Sequence, residues 1–378
     1  MPTKKHAVLS ASSSERWLHC PPSARLCESY DDKGSDFAAE GTDAHELCEY
    51  RLRKALGMDA IDPTEKLIWF SEDMDDCASG YVAYVLEELE TAKQRCTDPI
   101  LLIEQCVDFS RWVKSGFGTA DCIVIADDTM QVIDYKYGRG ILVDAEENPQ
   151  MMCYALGALE LFDGIYDIDR VRMTIYQPRR DNVSTYELAK DELYRWADDV
   201  LKPAADLAFS GDGDFSCGAW CCFCRAKNDC RARAEANLEL AAYDFKLPPL
   251  LTDEEVGDVL SKLDGLITWA SDIKEYALQQ AISGKEWHGW KLVEGRSNRR
   301  YTSDSAVAAA VESIGVDPYE HKILGVTAMQ KLLGKSSFEE LLAAYIEKPQ
   351  GKPTLVPESD KRPVMNTAKN DFNDQEEN

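Results

Sequence analysis

Asp134 and Lys136 have the residue types and the spacing that metal-assisted hydrolysis requires. They close the segment VIDYK, in which Val132 and Ile133 indicate a buried strand. Side chains two positions apart in a strand point to the same face, so this acid and this base would lie together. The carboxylate could hold a divalent cation, and the lysine could orient a nucleophile or stabilise developing negative charge. The alternative is a surface ion pair, which contributes little to stability.

Other residues could complete a cation site with Asp134. Asp121 lies near the start of the preceding strand-like run, and an antiparallel turn at residues 127–128 would bring the two carboxylates side by side. The backbone carbonyl of Tyr135 is a further oxygen ligand in that arrangement. His45, on a predicted helix, would add a nitrogen. One imidazole with two carboxylates suits Mg²⁺ or Mn²⁺, whereas a lone helical histidine is more often an ordinary core or surface residue.

The chain contains 13 cysteines, and in the absence of a secretion signal this number favours metal or redox use over disulfides. Three of them have the spacing C-x₂-C-x₅-C: Cys221, Cys224 and Cys230. Three thiolates leave a tetrahedral ion or a cluster one ligand short. The fourth ligand could be Cys217 or Cys222, which would suit zinc. It could instead be the distant Cys20 in WLHCPPSAR, with Cys27 as a further candidate.

The segments that carry these residues alternate between helical and strand-like patterns. Helical periodicity covers residues 37–56, with an interruption expected near Gly41, and residues 71–96. Three runs rich in Val, Ile and Leu then predict strands: ILLIEQCVDF, GTADCIVIA and MQVIDYKYG. NPQMMCYALGALELF predicts a helix, VRMTIYQPR a fourth strand, and residues 191–208 and 231–243 further helices. This order predicts an α/β fold with a mixed-sheet core flanked by helices.

The sequence predicts two domains and a tail. Residues 1–245 hold the motifs described above and would form the first domain. LPPLLTDEEVGDVL predicts a linker followed by a helix that begins with a capping box of Thr252 and Glu255. Residues 246–356 would form a C-terminal, mostly helical α+β domain. Residues 357–378, rich in Asp, Asn, Glu and Lys, predict a disordered tail.

The net charge of −26 argues against a protein that wraps nucleic acid non-specifically, because that affinity comes from Lys and Arg against phosphate. It is compatible with a local basic groove and with acidic residues that hold divalent metal. No apolar run is long enough to cross a bilayer, and the first segment, MPTKKHAVLSASSSERWL, lacks the hydrophobic core of a signal peptide. We therefore expect a cytoplasmic protein without a membrane partner.

Four short motifs occur in a fixed order, namely GTDAH on the first long helix, GTAD before a strand, DYK after the next strand, and QMMCY on the following helix. Together they resemble the motifs of RecB-type nucleases in the PD-(D/E)XK superfamily. The predicted order of elements is similar to that family's restriction-endonuclease-like core. The resemblance covers about residues 10–234. Asp134 stands where many members have Glu, a variation that the superfamily's name allows.

The resemblance implies roles for individual residues. His45, Asp121 and Asp134 would bind Mg²⁺ or Mn²⁺, and Lys136 would be the catalytic lysine. Glu104, on the first predicted strand, is similar to a further acidic position of the family. The implied activity is hydrolysis of DNA phosphodiester bonds in a bacterial host cell, because the whole sequence also resembles a group of phage and prophage proteins of this type.

The resemblance also bears on the cysteines. The iron–sulfur branch of the RecB-type family, which includes bacterial repair nucleases and CRISPR adaptation nucleases, uses one cysteine before the nuclease core and three after it. This chain looks similar, with Cys20 ahead of the core and Cys221, Cys224 and Cys230 behind it. The resemblance therefore favours a [4Fe–4S] cluster on these four residues over zinc. Such a cluster would staple the two ends of the nuclease domain together.

Several residues are candidates for contact with DNA, single-stranded or at duplex ends. The resemblance implies that Gln150 and Tyr154 support the site or touch DNA. Arg179 and Arg180 follow the fourth predicted strand. A second basic patch has aromatic neighbours suited to stacking on bases: Arg296, Arg299 and Arg300, with Trp287, Trp290 and Tyr301. The alternative for this patch is a β-hairpin with a solvated basic edge.

Three functions compete for this sequence. The first is a metal-dependent DNA nuclease, and more specifically an exonuclease, in phage recombination, replication or DNA processing, acting alone or with a recombination or helicase partner. The second is a catalytically silent accessory protein with the same fold that binds nucleic acid. The third is a zinc-stabilised interaction protein in which DYK is only an ion pair. The acid and lysine set favours the first, because a binding module does not need a desolvated Asp-x-Lys.

Overall fold

The structure, a computed structural model, describes residues 7–31, 34–162, 164–239, 252–294, 301–319 and 323–347. The chain divides into two compact units, of which the first ends at Ser283 and the second begins at Gly284. The boundary predicted after residue 245 and the tail predicted over residues 357–378 lie outside the described residues. None of the described helices has the length and apolar character needed to span a membrane.

The first unit carries nine α-helices and five strands within its described residues. The helices are α1 (Ser14–His19), α2 (Ser23–Leu26), α3 (Asp36–Ala55), α4 (Glu72–Arg95), α5 (Pro149–Phe162), α6 (Lys190–Trp196), α7 (Lys202–Ser210), α8 (Arg231–Leu238) and α9 (Asp253–Ile282). The strands are β1 (Ile100–Asp108), β2 (Phe117–Ala126), β3 (Thr129–Tyr135), β4 (Arg170–Gln177) and β5 (Asn182–Ala189).

The strands form one mixed sheet in the order β1-β2-β3-β4-β5. β3 and β4 are parallel, and the other neighbouring strands are antiparallel. Parallel neighbours need a crossover connection, and α5 supplies it between β3 and β4. The prediction of a mixed α/β core flanked by helices is confirmed at this level.

Helices cover both faces of the sheet, and β3 is buried between them. Val132 belongs to the core that includes α5, whereas Ile133 belongs to the core formed with α3 and α4. This alternation is the period of two that a strand requires. It places Asp134 and Lys136 on the α5 side. The two side chains thus share one face, as the sequence predicted.

Gly41 does not interrupt α3, so that part of the prediction was wrong. The helix runs without a break from Asp36 to Ala55. It begins at Ser35, whose hydroxyl accepts a hydrogen bond from the Ala38 amide at 3.1 Å. A glycine inside a helix costs only about 1 kcal/mol. The buried apolar residues of α3, such as Leu47, outweigh that cost.

The edge strand β5 was not predicted. Its residues alternate between half-buried and exposed positions, so it lacks the dense apolar run that marks β1 to β4. A tight turn at residues 178–181, with Asp181 in the left-handed conformation (φ 49°), folds β5 back onto β4. The pairing begins with Gln177 opposite Asn182. The strand is therefore specified by the turn more than by its own composition.

The capping box predicted at the start of α9 is confirmed. The Glu255 amide donates to Thr252 Oγ1 at 3.2 Å, and the Thr252 amide donates to Glu255 Oε2 at 3.1 Å. In the second unit the described helices are α10 (Asp304–Glu312), α11 (Val326–Leu333) and α12 (Lys335–Leu342).

Candidate metal centre and cysteine site

The hairpin of β2 and β3 brings Asp121 and Asp134 side by side. Cys122 pairs with Ile133 in the antiparallel register, so the two acids occupy the next facing positions. The side chain of Asp121 also accepts a hydrogen bond from the Tyr135 amide, at 2.7 Å from Oδ2. The juxtaposition predicted from the turn at residues 127–128 is present in the structure.

Asp134, Lys136 and Gln150 form a closed polar triangle. Lys136 Nζ lies 2.9 Å from Asp134 Oδ2 and donates to Gln150 Oε1 at 3.1 Å. Gln150 Nε2 donates in turn to Asp134 Oδ1 at 3.1 Å. The Oδ2 atom of Asp134 is buried and, despite the nearby ammonium, accepts no hydrogen bond of good geometry. One carboxylate oxygen therefore keeps lone pairs available for a cation.

The N-terminus of α5 fixes the backbone of Gln150. Asn148 caps the helix, because its Oδ1 accepts hydrogen bonds from the Gln150 amide at 3.1 Å and the Met151 amide at 3.3 Å. The sequence signal was the Asn-Pro pair before QMMCY, since Asn is a favoured N-cap and Pro a favoured first helical residue. Gln150 also donates to Tyr154 Oη at 3.3 Å. Gln150 and Tyr154 thus lie where a supporting role was predicted.

Gly118, in the GTAD motif, makes room for the ring of Tyr154. A Cβ atom at this position would lie 2.6 Å from Cε1 of Tyr154, closer than carbon atoms can approach without displacement. The glycine of the motif is thus explained by close packing between β2 and α5.

His45 and Glu104 complete the group around Asp121. His45 Nδ1 lies 3.3 Å from Asp121 Oδ2, and ligand atoms of His45, Glu104 and Asp121 all lie within 4.8 Å of one another. Glu104 has φ 52° inside β1, a left-handed conformation that a non-glycine residue adopts at a cost of about 1–3 kcal/mol. The sequence had indicated Glu104 only through the family resemblance. The strand pattern contains no sign of this conformation.

The predicted ligands are therefore divided between two neighbouring sets. His45, Asp121 and Glu104 form one, and Asp134 faces Lys136 in the other. Asp121 and Asp134 remain adjacent across the hairpin, so both sets border the same space. The Tyr135 carbonyl stays a predicted ligand. The Tyr135 side chain lies in the α3/α4 core, with its ring centroid 5.6 Å from that of His45.

The charges of the site leave an excess of carboxylate. Burial and the charge of Asp121 raise the pKa of Glu104 to about 7. Burial lowers the pKa of His45, but the Asp121 carboxylate outweighs burial and raises that pKa to about 9. Burial also raises the pKa of Asp134, against the opposing charge of Lys136. The charge of Asp121 thus helps to raise the pKa of both Glu104 and Asp134, as expected where carboxylates lie close together around a cation site.

The donor set fits a hard divalent cation. Two carboxylates and one imidazole within 4.8 Å of one another, with the Asp134 carboxylate beside them, match the ligand preference of Mg²⁺ and Mn²⁺. The Oδ2 atom of Asp134, which accepts no hydrogen bond of good geometry although Lys136 Nζ lies 2.9 Å away, would gain a second partner. The repulsion between Glu104 and Asp121 would be relieved. Access is from the side of His45 and Lys136, whose side chains are 34% and 26% exposed, compared with 3% for Asp134.

The four cysteines assigned to a cluster line one small cavity. They come from the residue that follows α1 and from the segment before α8: Cys20, Cys221, Cys224 and Cys230. Three cations, Arg16, Lys227 and Arg233, line the same cavity, which suits a thiolate-ligated group with net negative charge. Neither Cys217 nor Cys222 is part of this lining.

Cys27 contacts the cysteine site from outside the cavity. Its Sγ lies 3.7 Å from Sγ of Cys224. The hydrogen bond with Cys224, opposed by burial and aided by Arg16, lowers the pKa of Cys27 to about 5, whereas the same bond and burial raise the pKa of Cys224. Both N-terminal candidates, Cys20 and Cys27, are thus brought to the C-terminal triplet.

The predicted DNA-contact arginines differ in their surroundings. Arg179 is only 14% exposed and pairs with Glu40 at 2.9 Å and Asp73 at 3.5 Å. Its contact with DNA stays a prediction, but these carboxylates already bind its guanidinium. Arg180 is exposed and donates to the Arg139 carbonyl at 3.3 Å. The remaining candidates lie outside the described residues: Arg296, Arg299 and Arg300.

The sequence model of a family described as "Protein of unknown function (DUF2800)" matches residues 6–363. Among solved structures, the one described as "Crystal structure of SSO0001" is 14% identical. The match covers 49% of this chain and 95% of that chain, with a TM-score of 0.21. A likeness at so low a TM-score carries no argument about fold or function.

Proposed function

The chain belongs to the DUF2800 family, and we propose that it is a metal-dependent DNA nuclease of the RecB type within the PD-(D/E)XK superfamily. One observation carries the proposal. A buried Asp134 paired with Lys136 lies next to a His45, Glu104 and Asp121 group that can hold a divalent cation. The cation class is Mg²⁺ or Mn²⁺.

Each residue has a role in phosphodiester hydrolysis that follows from its position. The bound cation would polarise the phosphate and lower the pKa of water. Lys136, held by Asp134 and Gln150, presents an ammonium that orients the nucleophile and balances charge on the phosphate. Gln150 fixes the position of both charged groups, and Tyr154 fixes Gln150. His45 lies on the open side, from which the substrate approaches.

The restriction-endonuclease-like core belongs to the same proposal. A mixed sheet with two antiparallel strands carrying the acids, a crossover helix carrying QMMCY and a parallel fourth strand supports it. The acidic net charge requires that the DNA contact be local. The exposed Arg180 is available for that contact, whereas Arg139 already pairs with Asp73 at 3.0 Å.

We further propose that Cys20, Cys221, Cys224 and Cys230 hold a [4Fe–4S] cluster, with zinc as the alternative occupant. Four thiols and three cations lining one cavity support a thiolate-ligated group. Its position, between α1 and the segment after α7, joins the two ends of the proposed nuclease domain. The role would be structural, because a cross-link between residues far apart in the sequence stabilises the fold by constraining the unfolded chain.

The test is cleavage of end-labelled single-stranded and double-stranded DNA with Mn²⁺ or Mg²⁺, using protein purified anaerobically. Wild type is compared with Lys136→Ala and Asp121→Ala, and with Lys93→Ala as a matched control, since Lys93 pairs only with the exposed Glu90 among its described contacts. We expect metal-dependent cutting in wild type and the control and none in the two site variants. Folded wild type that binds DNA without cutting it would instead support the accessory binding protein.

A further inference from the structure

Cys27 and Cys224 lie side by side although 197 positions separate them in the chain. Their sulfur atoms are 3.7 Å apart, and both are free thiols. Both side chains are buried, with Cys27 5% and Cys224 9% exposed. With Ala226 they form a small core of their own, against which Leu26 and Tyr30 pack. The contact is therefore held by packing on both sides.

A guanidinium lies against this sulfur pair. Arg16 Nη1 donates to Cys27 Sγ at 3.4 Å, and to the carbonyl and hydroxyl oxygens of Ser23 at 2.9 Å each. In the part of the chain that the structure describes, no carboxylate forms an ion pair with Arg16. The positive charge of Arg16 is thus directed at sulfur and is placed to stabilise negative charge there.

We propose that Cys27 and Cys224 are a site of oxidative modification, at which a peroxide joins them in a disulfide. The Cys27 sulfur attacks one peroxide oxygen, so an S–O bond forms, the O–O bond breaks and hydroxide leaves. Cys224 then attacks the Cys27 sulfur, the S–S bond forms, and the S–O bond breaks with loss of a second hydroxide. The two thiols lose two electrons and two protons, and the peroxide becomes two waters.

The disulfide can form with little movement of the two sulfur atoms. A disulfide holds its sulfurs at about 2.05 Å, so the two atoms need to approach by less than 2 Å from their present 3.7 Å. The pair lies beside the cysteine-lined cavity, to which Cys224 belongs. Disulfide formation would therefore remove one of the four thiols that line it.

The Cys27–Cys224 disulfide itself does not depend on the proposed cysteine site. Its effect on the group bound there rests on that proposal. A sulfur in a disulfide is a poor ligand for iron or zinc, because the thiolate is the ligand. Oxidation of the pair and occupancy of the cavity would thus exclude each other. Cys27 would make the cysteine site sensitive to peroxide, with the bound group protecting Cys224 and its loss exposing the pair.

The test uses the full chain stripped of metal by a chelator and shown by circular dichroism to remain folded. The protein is treated with hydrogen peroxide, its remaining thiols are blocked with N-ethylmaleimide, and its peptides are identified by mass spectrometry. We expect a linked Cys27–Cys224 peptide that dithiothreitol separates. Cys27→Ser should abolish it, and Cys106→Ser, which removes an exposed thiol of β1, should leave it unchanged.

Two results would overturn the inference. One is oxidation of Cys27 to the sulfinic acid without a link to Cys224. The other is a dominant link between Cys217 and Cys221, which also contact each other.

A second measurement separates this inference from the proposed cysteine site. Protein reconstituted with Fe²⁺ and sulfide, or with Zn²⁺, is treated in the same way, and its metal content is measured. We expect the link to be suppressed in metal-loaded protein. A link that forms equally fast in loaded protein would overturn the assignment of Cys224 as a ligand and the mutual exclusion, while the Cys27–Cys224 bond itself would stand.

Discussion

Lys136 Nζ lies 2.9 Å from Oδ2 of Asp134, a carboxylate that is almost fully buried. This one contact bears both on the stability of the fold and on the proposed hydrolysis. Removing one partner of a buried ion pair leaves an uncompensated charge, which costs more than the pair itself contributes. The proposed nuclease activity would need the ammonium, whereas stability needs only that Asp134 be neutralised.

We expect Lys136→Met to lower the free energy of unfolding by roughly 2–3 kcal/mol, less than for a fully buried pair because Lys136 is a quarter exposed. Adding Asp134→Asn should restore most of that loss without restoring cleavage. Urea unfolding of metal-free protein measures the first effect and the DNA assay the second. Recovery of cleavage in the double variant would show that Lys136 acts only through stability.

Glu104 should contribute to cation binding as much as His45 does. We expect Glu104→Gln and His45→Gln each to weaken Mn²⁺ binding by at least about tenfold, since even residues that only orient metal ligands contribute 10–100-fold. Isothermal titration calorimetry with Mn²⁺ alone measures this. Glu90→Gln is the matched control, because Glu90 is exposed on α4, pairs with Lys93 and lies outside the ligand group. Equal losses in the control and the Glu104 variant would refute a specific ligand role.

Much of this centre follows from local rules applied to the sequence. Alternation in β3 placed Asp134 and Lys136 on one face, and the hairpin turn placed Asp121 opposite. The approach of His45 from α3 depends on tertiary packing, so spacing alone offered it only as a candidate. Only the family resemblance indicated that Cys20 lies with the C-terminal cysteines.

Other features could not be predicted from local sequence patterns. Glu104 joins the site through a left-handed backbone conformation in the middle of a strand, which strand propensity does not encode. The sequence predicts Arg179 as a DNA contact, and its pairing with Glu40 and Asp73 from two helices has no local sequence signal. β5 was missed because an edge strand with one exposed face carries few apolar residues. An interruption of α3 was expected at Gly41 because helix propensity does not account for the packing of the helix against the core.

Gly118→Ala should impair the site without touching a charged residue. The added methyl would lie 2.6 Å from the Tyr154 ring, so the ring must move and Gln150 loses one partner. We expect cleavage to fall while Mn²⁺ binding is retained. Gly41→Ala is the control, because a Cβ there meets nothing within 4 Å, and it should stabilise α3 by up to about 1 kcal/mol. Normal cleavage by folded Gly118→Ala would show that cleavage does not depend on where the Tyr154 ring lies.

Cys20→Ser should abolish the metal content of the cysteine site. We expect loss of visible absorbance and of bound iron, or of bound zinc if zinc is the occupant, in protein purified anaerobically. Cys96→Ser removes a half-buried thiol at the end of α4 and should retain both. Full iron content in the Cys20 variant, with loss in Cys27→Ser, would assign the fourth ligand to Cys27.

Asp272 should hold α9 against the cysteine-bearing segment. It accepts hydrogen bonds from Arg233 at 2.7 Å and Lys227 at 3.0 Å, and the Arg233 side chain is only 6% exposed. Asp272→Ala leaves that guanidinium without its carboxylate, so we expect faster amide hydrogen exchange along α9 and a cost of roughly 2–4 kcal/mol. Asp258→Ala on the same helix, facing the exposed Lys262, should change stability by less than about 0.5 kcal/mol.

The same contact predicts how the docking of α9 depends on pH. Burial raises the pKa of Asp272, but hydrogen bonds from Arg233 and Lys227 outweigh it and leave the pKa below its ordinary value. A carboxyl with a lowered pKa in the folded state contributes stability that is complete above the unfolded value, about 3.9, and is lost as pH falls through the folded value. We therefore expect α9 to stay protected from hydrogen exchange at neutral pH and to lose protection below about pH 4. Asp272→Asn should remove that dependence, and an unchanged acid transition in this variant would assign the pH effect to other carboxylates.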